Sequence, residues 1–105
     1  MSLRENGILT VPDGLDCVAL TVSTTSVQPA ALTFPAHNLK RVVIQTDQPV
    51  RWVASSIDTP TSTFGLKLVA GETLVYDGSI TNLKFIRDTS ATGDASVTLH
   101  YFGLT

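Results

Sequence analysis

The apolar residues of this chain recur with a period of two, in short runs, and no stretch of ten or more residues shows the 3.6-residue period of a helix. In Cys17-Val18-Ala19-Leu20-Thr21-Val22-Ser23, the residues Val18, Leu20 and Val22 fall on one side of an extended chain, because successive side chains of a strand point to opposite faces. Arg41-Val42-Val43-Ile44-Gln45-Thr46 is apolar on both sides, as in a strand held between two layers. Val50-Arg51-Trp52-Val53-Ala54 follows after Asp47-Gln48-Pro49, and the two runs read as a hairpin joined by a short turn.

Further runs are Ala31–Phe34 (stopped by Pro35), Leu66–Val69, Thr73–Tyr76, Leu83–Arg87 and Ala95–Phe102, each bounded by Gly, Pro, Asn or Asp. Val, Ile and Thr, which crowd a helical turn but pack well on a pleated surface, reinforce the reading. About seven or eight short strands separated by such turns predict an all-β chain, an antiparallel β-sandwich of jelly-roll or immunoglobulin-like type. With 105 residues the chain is sized for one domain.

The domain is read as residues 15–105, preceded by a leader, 1–14. The leader holds the polar Arg4, Glu5, Asn6 and Gly7, then the apolar Ile8, Leu9 and Val11, and ends in the turn signal Pro12-Asp13-Gly14. Two readings of it stand side by side: a binding arm, or a first strand of the sandwich. Ile8, Leu9 and Val11 must cover an edge of this domain or dock on a neighbour, since three exposed apolar residues would form a sticky patch. Ser55–Gly65 is rich in Ser, Thr, Asp and Pro and has no period, so it reads as the longest exposed loop. Phe64, beside Gly65, is the aromatic expected to face solvent, either for contact with a partner or as a plug at one end of the sandwich.

Candidates for chemistry are sparse. Catalysis needs a nucleophile and base in reach of each other, convergent carboxylates or a metal set. His37 lies in a turn and His100 in the last strand, neither with a Cys or acid at ligand spacing. Cys17 reads as a small apolar core residue, and a single cysteine forms no internal disulfide. Asp13, Asp16, Asp47, Asp58, Asp77, Asp88 and Asp94 fall mainly in turns, where the carboxylate bonds nearby main-chain N–H groups. Arg51 is expected to point away from Trp52 into solvent, and Trp52 and Phe85 to pack in the core. No catalytic residue, cofactor or metal site is assigned. A net charge of −2 with scattered Lys and Arg leaves no basic field for nucleic acid, and no apolar run approaches the roughly 18 residues of a membrane span.

Between Arg41 and Gly103 the features run in a fixed order. A V-x-I-Q strand and Val50-Arg51-Trp52 come first, then Asp58-Thr59-Pro60-Thr61 and the Gly65, Leu68, Ala70-Gly71-Glu72 turn. Phe85-Ile86-Arg87 and a terminal V-T-x-x-Y strand complete the order. It resembles small β-sandwich virion proteins of tailed bacteriophages, and the leader lies outside the resemblance. The resemblance implies a non-enzymatic structural protein in the virion, made in the host cytoplasm. It would bind a capsid or head–tail lattice, with other virion proteins and copies of itself as partners. The alternative is a carbohydrate-binding β-sandwich module, which would present Trp52, Tyr76 and Tyr101 as exposed, coplanar rings.

Overall fold

The computed structural model describes residues 13–103. Seven strands follow one another: β1 (Asp13–Val22), β2 (Leu39–Thr46), β3 (Val50–Ala54), β4 (Leu66–Leu68), β5 (Thr73–Tyr76), β6 (Leu83–Arg87) and β7 (Ala95–Gly103). Single turns of 3-10 helix, Ala36–Asn38 and Ile80–Asn82, lead into β2 and β6. All pairings are antiparallel. One sheet has the order β1-β7-β2-β5 and the other β4-β3-β6, so the chain is an all-β sandwich, as its alternation indicates.

The core lies between the sheets. Val22, Val42, Ile44, Val97, Leu99 and Tyr101 come from the four-stranded sheet, and Val50, Leu68, Leu83 and Phe85 from the three-stranded one. Strand β7 shows the cause most plainly: Ala95, Val97, Leu99 and Tyr101 are buried while Ser96 and Thr98 between them are exposed, the period of two expressed as two faces. Phe85 heads the fully buried side chains by volume. Gly71 turns β4 into β5 with φ of 91°, a conformation that a Cβ disfavours.

Three expectations are corrected. Strand β1 begins at Asp13, so Asp13 and Gly14 pair with Gly103 and Phe102 rather than forming a turn, with an irregularity between Gly14 and Asp16. Ala31–Phe34 is not a strand. Pro29 and Pro35 bracket it, and its alternate residues Leu32 and Phe34 pack against the core from an irregular segment, Phe34 edge-on to Tyr101 at 5.7 Å. Strands β2 and β3 are not a hairpin: β2 pairs with β5 and β7, and β3 with β4 and β6. The Asp47–Pro49 connection is a corner from one sheet to the other, held by Asp47 Oδ1, which accepts the Ser96 N–H at 2.7 Å.

Replacing Phe85 by Ala is expected to cost about 3–5 kcal/mol. Trp52, at the side of the sandwich, is only half-buried and its replacement by Ala should cost less. Denaturant titration of both variants checks the order, and equal or inverted losses would contradict this placement of the core.

Candidate interaction surface

The long Ser55–Gly65 connection is not a loose loop. Lys84 donates from Nζ to the carbonyls of Ser55 at 3.0 Å and Asp58 at 2.6 Å, and Ser55 Oγ accepts the N–H groups of Ile57 and Asp58. Pro60 is fully buried. Thr61 and Phe64 exchange main-chain hydrogen bonds, and Thr89 N–H reaches the Ser62 carbonyl at 3.2 Å. The segment is an arch against the face of the three-stranded sheet turned away from the core. This accounts for Ile86, which faces outward in register with Arg51 yet is buried.

The arch is anchored on a buried charge. Asp88, with a side chain 2% exposed, accepts from Arg51 Nε at 2.6 Å on Oδ1, and from Ser90 N–H at 2.9 Å and Ser90 Oγ at 2.6 Å on Oδ2. Lys67 Nζ stands 3.5 Å from Oδ2. Arg51 is therefore not the solvated charge expected; its Nη1 also donates to the Gly65 carbonyl at 3.0 Å. Gly65 has φ of 124°, and a Cβ there would press on the Trp52 carbonyl, so this position requires glycine. The Ser90 hydrogen bonds, with smaller help from Arg51 and Lys67, outweigh burial and hold the Asp88 carboxyl well below the usual carboxylate range. Asp88 does make the turn contacts expected of it. Its partnership with Arg51, 37 residues away, has no local signal.

The arch presents apolar groups to solvent, Ile57 near its start and Phe64 at its end. Ile57 is 87% exposed, Phe64 54% and Leu66, the first residue of β4, 62%. Shallow grooves flank Leu66, each walled by Trp52: one of about 540 Å³ reaches Phe64 and Thr63, the other, about 530 Å³, reaches Glu72 and Leu74. Among the described residues, β4 pairs only with β3, leaving its outer main-chain groups unpaired by backbone. Phe64 thus stands exposed, as its place beside Gly65 suggests. Ile57 lies on the stretch that its composition marks as exposed, whereas Leu66 escapes sequence reading because it sits in a strand pattern that normally buries it. Ile8, Leu9 and Val11 lie outside the described residues.

The remaining candidates stay apart. His37 is exposed in a 3-10 turn. His100 stacks on Phe102 at 4.3 Å on the outer face of the larger sheet, in register with Cys17. Cys17 is exposed rather than in the core, because it lies on the face of β1 opposite Val18 and Leu20. No three His, Cys, Asp or Glu side chains among the described residues are grouped to hold a metal. The sugar platform does not form: Tyr101 is 2% exposed, and the rings of Trp52 and Tyr76 meet at 76°.

A clamp of this kind ties stability to acid. The folded-state pKa of Asp88 is depressed, so its contribution is complete above the unfolded carboxylate value near 4 and is lost as pH falls from about 5 through the folded value. Asp88→Ala, which leaves Arg51 without its carboxylate, is expected to cost about 3 kcal/mol at neutral pH and to flatten the pH dependence of stability in that window. Melting curves between pH 3 and 7, as a rough working range, check this; an unchanged acid dependence in the variant would contradict it.

No family model and no curated protein matches the chain. A solved structure from Bacillus endospore appendages, described as forming a novel family of disulfide-linked pili, aligns over 100% of this chain and 98% of that one. The identity is 20% and the TM-score 0.47, a likeness too distant to carry function across. None of these comparisons indicates an enzymatic family. The expectation of a bacteriophage virion component, with a capsid or head–tail lattice as partner and the virion as location, is overturned. The likeness found leads to an appendage protein of spores and to no phage protein, and the order of features on which the expectation stood is shared by β-sandwiches at large.

Proposed function

We propose that this chain is a non-enzymatic structural subunit that associates with copies of itself. The observation that carries the reading is the pair of exposed apolar side chains Phe64 and Leu66 beside the edge of β4 that no other described strand pairs. An edge strand offers a row of main-chain donors and acceptors, and natural proteins usually guard it with charge. The charge within β4, Lys67, leans toward Asp88 at 3.5 Å. Apolar groups gathered at such an edge mark an interaction site. The leader, 1–14, enters as a second element of contact through Ile8, Leu9 and Val11, ahead of the domain read as 15–105, with Asp13 and Gly14 already in β1.

Phe64→Ser combined with Leu66→Ser tests the surface, because both side chains are more than half exposed and should change stability by no more than about 0.5 kcal/mol each. Light scattering across a concentration series should show wild type growing in mass and the variant remaining smaller. Wild type that stays monomeric, or a variant that associates equally, would overturn the proposal.

A further inference from the structure

The dipeptide Asp-Gly occurs at Asp13-Gly14 and again at Asp77-Gly78, and the fold treats the two differently. In β1, Asp13 and Gly14 lie opposite Gly103 and Phe102 in an antiparallel ladder. Asp77 and Gly78 come just after β5 and ahead of the 3-10 turn Ile80–Asn82, and both are exposed. Among the described residues, the Gly78 N–H donates to no acceptor.

Asp-Gly carries a chemistry of its own. The glycine nitrogen can attack the carboxyl carbon of the aspartate, because glycine has no Cβ to block the approach. A C–N bond forms, the amide proton and the hydroxyl of the carboxylic acid leave as water, and a five-membered succinimide results. Water then reopens the ring. Attack at the side-chain carbonyl breaks the new C–N bond and restores aspartate. Attack at the main-chain carbonyl breaks the original peptide bond and leaves isoaspartate, with the chain running through the side-chain carbon. One water is released and one consumed, so no other reactant is needed.

Ring closure brings the carboxyl carbon into line with the next peptide nitrogen, which turns the Cα–C bond away from the extended ψ of a strand. At Asp13 the cross-strand partners oppose that rotation. At Asp77 it needs only local opening of an exposed turn, which costs little. Isoaspartate would add one methylene to the main chain in a tightly spanned place. The Tyr76 hydroxyl donates to the Ser79 carbonyl at 2.8 Å, and a Cβ on Gly78 would stand 2.7 Å from that same hydroxyl. The Tyr76 ring in turn meets Trp52 edge-on at 6.4 Å.

We propose that Asp77-Gly78 is a self-modification site: in the folded protein Asp77 converts to isoaspartate through the succinimide, while the ladder spares Asp13. The product loosens Tyr76 from Ser79 and shifts its contact with Trp52. This chemistry needs no second copy and stands apart from self-association.

The test ages the full-length chain at neutral pH, folded and in denaturant, and measures isoaspartate at each position by peptide mass spectrometry with fragmentation. In the folded protein several-fold more is expected at Asp77 than at Asp13, and in denaturant the two should converge. No isoaspartate at Asp77, or equal amounts at both positions of the folded chain, would overturn the proposal. A preference that survives unfolding would overturn it too, since neighbouring sequence and not the fold would then be its cause. Trp52, the one tryptophan of the chain, should shift its emission in the purified isoaspartate form; unchanged emission would overturn the reach of the modification to Tyr76.

Discussion

The Asp88 carboxylate, 2.6 Å from Arg51 Nε and capped by Ser90, is where the outer half of the molecule is tied to the sandwich. A carboxylate this buried is tolerated only when its lone pairs are filled by donors and its charge is opposed. Supplying those partners recruits β3 through Arg51, β4 through Lys67 and the turn after β6 through Ser90. Because the Arg51 fork also takes the Gly65 carbonyl, the end of the arch is fixed by the same ion pair. Phe64 owes its position to this chain of contacts.

The two sheets differ in width, four strands against three, and the difference shapes the surface. Val27 bridges Phe85 in both directions at 2.9 Å and extends the narrower sheet at β6. The opposite margin, β4, receives no such supplement among the described residues. Trp52 and Leu66 share the core-facing side there by register, yet the sheet ends before it can cover them. Residues patterned for a core thus become surface, and this is why an apolar strip and an open strand edge coincide. Function on this account is a consequence of where the sandwich stops.

Period two was enough to locate β2 to β7 nearly to the residue and to place Phe85 in the core, because alternation is a direct image of a two-faced sheet. It failed where local pattern has two tertiary meanings. Leu32 and Phe34 alternate as in a strand, but between two prolines they plug the end of the sandwich instead. Asp47-Gln48-Pro49 serves equally as a hairpin turn or as a corner between sheets, and only pairing distinguishes them. Arg51 and Asp88 each looked like a solvated or turn residue, since nothing local joins positions so far apart. The exposure of Phe64 was legible from its place at the end of the long polar connection, beside Gly65. The phage resemblance misled for a related reason: strand, turn and strand in that order describe many sandwiches.

The central claim, that copies meet along the β4 margin held out by the Asp88 clamp, is tested most directly by amide hydrogen exchange of the wild-type chain over a dilution series. The main-chain amides of β4 that point away from β3 should lose protection on dilution, while those of β7, paired on both sides, keep theirs. Protection of the β4 amides that does not change with concentration, in a chain that scattering shows to be associating, would contradict the account.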